Sequence, residues 1–130
     1  MTLDADGGDI NLKDGGTEFL RISNSSDGPQ FYSPVSDKDF KFIVNDGGSD
    51  TTVLYIDGSA AGNVGIGTTS PSAPLVVSNG GAAGMEFHPE LTTDTNRLTN
   101  YDRTASAYMN FKLDALTQQF NISGSEIMRL

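Results

Sequence analysis

Two Asp-Gly-Gly triplets, Asp14-Gly15-Gly16 and Asp46-Gly47-Gly48, stand between runs in which apolar and polar residues alternate. Paired glycines supply the positive φ angles of a tight hairpin turn. A period of two sends successive side chains to opposite faces of a strand. Together they restrict these stretches to β-hairpins with one apolar side. Three segments fit the pattern: residues 9–23 (DINLKDGGTEFLRIS), 40–57 (FKFIVNDGGSDTTVLYID) and 109–130 (MNFKLDALTQQFNISGSEIMRL). Each ends in, or just beyond, a matching tetrad: FLRI at 19–22, VLYI at 53–56 and IMRL at 127–130. In the tetrads Leu20 and Ile22, Leu54 and Ile56, and Met128 and Leu130 share a face and are expected to be buried. Arg21, Tyr55 and Arg129 point the other way, the two arginines toward solvent or a carboxylate. Phe40, Phe42 and Val44 oppose Lys41, and Phe111 and Leu113 oppose Lys112. Residues 24–39 and 79–84 read as connections, and 91–108 shows no clean period.

Composition agrees with many short strands. Gly, Ser, Thr and Asn make up 49 of the 130 residues, charged residues are 19%, and cysteine is absent. A helical chain would carry more Ala, Leu, Glu and Lys, and without cysteine no disulfide or thiolate chemistry is available. The net charge of −9 argues against nucleic acid and against an anionic membrane surface, both of which call for a basic patch. No apolar run approaches the ~20 residues that cross a bilayer as a helix, and no basic-then-apolar leader opens the chain.

The glycine element at 62–72, GNVGIGTTSPS, invites a phosphate-loop reading. It lacks the third glycine of a dinucleotide fingerprint, contains no Gly-Lys pair, and leads into the extended run APLVVS instead of a helix. The alternative is that Gly65 and Gly67 leave room for a closely packed backbone. Each hairpin has one apolar stripe, too little for a core of its own. Repeats stacking on themselves would supply the missing half, and so would symmetric association, on which the expected neighbour of Gly65 and Gly67 is another copy of the chain.

The run DGSAAGNVGIGTTSPS (57–72), preceded by VLYI, resembles the recurring element of bacteriophage tail fibres and tailspikes, found there upstream of an intramolecular chaperone of endosialidase type. The opening LDADGGDINLKDGGT resembles repeats in phage fibre proteins. The resemblance implies an all-β, elongated, repetitive hairpin or β-prism segment, an intertwined homotrimer. Its role would be structural and non-enzymatic, in a virion appendage that carries host attachment. Other tail or fibre proteins are the implied partners, along with a host glycan or receptor. The chain would be made in the host cytoplasm and be extracellular once assembled. The chaperone domain is absent, and IMRL by analogy should lead into a further glycine element, so a piece of a longer fibre is expected. The expected division is a shaft segment over 1–78, containing the 62–72 element, and a second β-rich segment over 79–130. The alternatives are a receptor- or carbohydrate-binding tip module of the same fibre and a fragment of a glycan-cleaving tailspike.

No catalytic, cofactor or metal residue is assigned. Asp4, Asp6 and Asp9 alternate as in a calcium loop but lack its spacing and closing glutamate, which favours a solvated acidic turn. His88, the only histidine, has no second His or Cys to share an ion. Three copies on a threefold axis would supply one, and the competing reading is a surface histidine. Asp37 with Asp39, and Glu86 with Glu90, read as solubility charges. Tyr32, Tyr101 and Tyr108 suit either edge packing or stacking on a sugar.

Overall fold

A computed structural model describes residues 8–114, 119–122 and 125–129, the last two stretches in backbone only. The described chain is all-β and contains no helix. A three-stranded antiparallel sheet holds β1 (Asp9–Asp14), β2 (Thr17–Ser25) and β3 (Gly28–Tyr32). A seven-stranded sheet holds β4 (Phe40–Asp46), β5 (Ser49–Asp57), β6 (Asn63–Ile66), β7 (Leu75–Ser78), β8 (Ala83–Thr92), β9 (Thr95–Asp102) and β10 (Ala107–Tyr108), with neighbours in chain order. A last hairpin pairs β11 (Gln119–Ile122) with β12 (Ser125–Arg129).

The Gly-Gly turns close the first two hairpins. Gly15 and Gly16 take φ of 54° and 84°, and Gly47 and Gly48 take 60° and 92°, the pair of left-handed conformations that matches strand twist. The three hairpins share a further detail. Pairing passes from Leu12↔Leu20 to Lys13↔Glu18, from Phe42↔Leu54 to Ile43↔Thr52, and from Phe120↔Met128 to Asn121↔Glu126. In each case the first residue of the tetrad (Phe19, Val53 or Ile127) is the extra residue of a β-bulge.

Four connections differ from expectation. The 24–39 stretch is not all loop, because β2 runs on to Ser25 and turns into β3, where Asn24 pairs with Pro29 and Ser25 with Gly28. The Ser25 hydroxyl accepts from Asp27 N and donates to the Gly28 carbonyl, and Pro29 is tolerated because β3 is an edge strand. Residues 91–108 hold β9 and β10, with Asp94 at φ 61° in the turn before β9. Met109 to Asp114 form no strand, and Phe111 and Leu113 are exposed. The chain leaves the sheet after β10, where Met109 N bonds the Asn100 carbonyl and Asn100 Nδ2 donates to the Asn110 carbonyl. The division expected after residue 78 falls inside the large sheet, since Ser78 of β7 pairs with Gly84 of β8.

β6 and β7 are parallel, the one parallel pair among the described strands. Their connection, residues 67–74, is short and contains no helix, whereas adjacent parallel strands usually need a dozen or more residues. It stays tight by running back across the sheet. Gly67 N bonds the Val53 carbonyl, Val64 N bonds the Pro74 carbonyl, Gly80 N bonds the Gly67 carbonyl, and Asn63 Nδ2 reaches the Pro71 carbonyl. A Cβ on Gly65 would collide with the carbonyl oxygen of Thr68, and one on Gly67, at φ 70°, with that of Ser78. The close neighbour of both glycines is therefore this chain's own backbone. That corrects the expectation of a second copy at these positions.

The connection decides which face is buried. Directly paired residues share a face. One row across the sheet reads Lys41, Tyr55, Gly65, Val76, Glu86 and Thr99. Under the 67–74 segment this row carries the buried residues Tyr55, Val76, Glu86 and Thr99, with Pro71 and Ala73 of the segment buried above it. The opposite face is formed by two rows. The first is Phe40, Ile56, Val64, Leu75, Phe87 and Leu98; the second is Phe42, Leu54, Ile66, Val77 and Met85. No residue of these rows is buried. Leu54 and Ile56 are half-buried, as are Leu20 and Ile22, while Tyr55 is 8% exposed. The expected sense of burial in the VLYI tetrad is thus reversed within the chain. The side chains of Met128, Arg129 and Leu130 lie outside the described residues.

Candidate functional site

At the centre of the covered face Glu86, on β8, is 2% exposed. A buried carboxylate must be paired or lose its charge. Four hydrogen bonds converge on it. Oε1 accepts from Ser72 Oγ at 2.9 Å and from Arg103 Nε at 2.7 Å. Oε2 faces His88 Nε2 at 3.1 Å and takes a short second bond from Arg103 Nη2. Burial opposes ionisation of Glu86, but the bonds from Arg103, Ser72 and His88 and the charge of Arg103 outweigh it, so its pKa lies below the ordinary value. The bond to Glu86 likewise raises Arg103. The Arg103 guanidinium also lies 4.8 Å from the Tyr101 ring centre, within cation–π range.

Each partner arrives from a different element. Ser72 belongs to the 67–74 segment, His88 is on the same side of β8 two residues on, and Arg103 follows β9. Asp102 Oδ1 accepts from the amides of Thr104 and Ala105, which turns the chain at Arg103. A carboxylate with both oxygens engaged twice has no free position from which to take up a substrate proton, and the arrangement works as a clamp between crossing segment, sheet and edge. Glu86 is therefore not the solubility charge expected from EFHPE, and His88, 8% exposed, is not a surface histidine.

A second polar anchor lies beyond β5. The hydrogen bond that its hydroxyl donates to Asp39, with desolvation adding to it, pushes the Tyr55 phenol up to about 12. The same bond holds Asp39 below its ordinary value. Asp39 also accepts from Gly58 N at 3.3 Å and lies 3.6 Å from Lys41 Nζ. Asp39 is thus a strut, not one of a loose carboxylate pair with Asp37.

Among the other candidates, Asp4 and Asp6 lie outside the described residues. Asp9 opens β1 and sits 3.9 Å from Arg21 Nε, which bonds Glu18 at 2.8 Å, while Arg21 Cζ lies 5.5 Å from the Tyr32 ring centre. No three His, Asp or Glu side chains converge as ligands among the described residues. The 62–72 element contains β6 and part of the crossing segment, so no helix follows its glycines to receive a phosphate. Tyr101 and Tyr108 meet edge to face at 5.2 Å. Among the described residues no helix is long and apolar enough to cross a membrane.

The Glu86–Arg103 clamp was not visible in the sequence. The two residues are 17 apart and obey no short motif; the register of β8 against β9 and the turn after β9 bring them together. Part of the uncovered apolar face was visible, since Phe40, Phe42, Leu54 and Ile56 belong to the period-two stripes; its continuation through Leu75, Val77, Met85, Phe87 and Leu98 was not. This face is a candidate interaction surface: Phe42 is 51% exposed, Leu98 48% and Ile66 44%. No family model, no curated protein and no solved structure matches this chain.

Proposed function

We propose that this chain is a structural segment of a phage-like tail fibre that works as a homotrimer, with the apolar faces of its sheets turned inward around a common axis. The observation that carries the reading is the pair of apolar rows crossing six strands, with no residue buried. Isolated exposed apolar residues are ordinary, but a contiguous sheet face is an interaction surface. The three-stranded sheet repeats the arrangement on a smaller scale, with Ile10, Ile22 and Phe31 in one row and Phe31 72% exposed.

Fibre identity rests on the resemblance of residues 57–72 and of the opening repeat. The choice of three chains rests on the same resemblance.

Light scattering tests it. The expected mass is three times that of the chain, with a melting temperature that rises with protein concentration because unfolding and dissociation coincide. A cooperatively folding monomer overturns the reading, and a two-chain mass keeps the apolar rows as an interface but overturns the trimeric fibre.

A further inference from the structure

The turn between β7 and β8, residues 79–82, is tied at two points to the clamp. Gly80 N donates to the Gly67 carbonyl of the crossing segment at 3.0 Å, and the Ala82 carbonyl accepts from Arg103 N at 3.1 Å. Ser78 Oγ, just before the turn, lies 2.8 Å from the Gly81 carbonyl and 2.7 Å from that of Ala83. The turn therefore links the segment that crosses the sheet to the arginine that holds Glu86. It also contains Asn79-Gly80, the one Asn-Gly pair in the sequence, with Asn79 exposed. Asparagine before glycine is the setting in which a side-chain amide is lost most readily, because glycine has no Cβ to hinder attack by its own nitrogen.

We propose that Asn79 is a site of spontaneous modification whose rate is set by the clamp and whose product loosens it. The Gly80 nitrogen attacks Asn79 Cγ. Its proton and the side-chain amide leave together as ammonia, and a five-membered succinimide remains. Water then opens the ring. Hydrolysis at Cγ leaves aspartate; hydrolysis at the former main-chain carbonyl leaves isoaspartate, with one extra carbon in the backbone. In the folded chain the nucleophile is engaged, since the Gly80 N–H is given to Gly67, and the ring closes only when that bond opens. The extra carbon of isoaspartate moves Gly80 N away from the Gly67 carbonyl, and the new carboxylate adds to a net charge of −9. The Asp-Gly pairs, Asp14-Gly15 and Asp46-Gly47 among them, carry an ionised carboxylate, a poorer electrophile, and react more slowly. None of residues 79–82 belongs to the apolar rows, and the inference does not depend on assembly.

The test is to age the whole protein in mildly alkaline buffer, folded and in urea, while following ammonia release and the mass of the peptide that contains Asn79. Modification is expected at Asn79 before any other asparagine or any Asp-Gly pair. It is expected to be slower in the folded chain by about threefold to tenfold, the scale of one backbone hydrogen bond that must open. Ser72→Ala and Arg103→Ala each remove a bond to Glu86 and are expected to bring the folded rate toward that in urea. Ser72 is exposed, so its replacement decides the matter if Arg103→Ala fails to fold. Aged protein is expected to melt below fresh protein. Asn79→Gln, whose longer side chain closes a six-membered ring far more slowly, is expected to keep its melting temperature on ageing. Equal rates in the folded and unfolded chains, earlier modification elsewhere, an unchanged rate in Ser72→Ala, or unaltered melting after ageing would each overturn the proposal.

Discussion

The two faces of the seven-stranded sheet are built from the same strands and behave in opposite ways. The face carrying Phe40, Phe42, Ile66, Val77, Phe87 and Leu98 is apolar and uncovered. The face carrying Tyr55, Val76, Glu86 and Thr99 is largely polar and covered. A self-sufficient domain would bury the first and expose the second. The inversion has a local cause: the 67–74 segment crosses on the polar side and takes its hydrogen bonds there. Apolar burial follows area, whereas a connecting chain needs donors and acceptors, so the polar side is where this connection finds partners. What the chain can cover by itself it covers with polar contacts, and the greater apolar area is left uncovered within the chain.

The largest expected effect breaks the comparison from the apolar side. Val77→Asp places a charge in the centre of the uncovered face, 39% exposed in the single chain. Within one chain an exposed substitution changes stability by about 0.5 kcal/mol or less. Buried at an interface three times over, an unpaired carboxylate costs several kcal/mol per chain. Sedimentation is expected to show loss of the assembled species; an unchanged mass would mean that this face is not the interface.

Arg103→Ala probes the covered face. It leaves Glu86 buried with Ser72 and His88 as its remaining partners, and the loss is expected at about 2–4 kcal/mol by denaturant titration. This sits below the full value for a buried pair because the arginine side chain is itself 46% exposed. A loss under ~0.5 kcal/mol would show that the clamp does not hold the crossing segment.

Gly65→Ala sharpens the distinction between contacts within a chain and between chains. The added methyl meets the Thr68 carbonyl of the same molecule, and overpacking of this kind costs about 1–3 kcal/mol. The loss is expected to lower the melting temperature while leaving chain number unchanged. Unaltered melting with weakened assembly would instead return Gly65 to an axis between copies.

The smallest effect is in acid. Glu86 is held below its ordinary value in the folded chain, so the unfolded chain protonates first as pH falls. Its stabilising contribution is complete above the unfolded value of about 4.3 and fades as pH drops from there through the lower folded pKa. Thermal melts from neutral pH down to about 2.5 are expected to show a fall in this window that Glu86→Gln flattens. Equal slopes in the two proteins would remove Glu86 from the acid response.

Much of the fold was legible in the sequence because its causes are local. Gly15-Gly16 and Gly47-Gly48 dictate turns through φ alone, and period-two alternation dictates strands and gives them faces. The shared tetrads even correspond to a shared bulge at Phe19, Val53 and Ile127. Less was legible where cause and effect are far apart along the chain. Residues 91–108 looked aperiodic because β9 carries polar residues on both sides, the buried Thr99 among them, so the alternation of apolar and polar residues is blurred.

By itself, then, the sequence determined the hairpins, their turns and which residues share a side, since these follow from backbone sterics and the pleat. Only the tertiary structure decided which side is buried. That choice depends on where the 67–74 connection crosses, and no periodicity records it. The crossing moved the neighbour of Gly65 from another chain to Thr68 of the same one. It turned Tyr55 inward and made Glu86 and Arg103, 17 residues apart, into a pair. Each of these results from register and chain path, which many weak contacts fix jointly and no single stretch of sequence encodes.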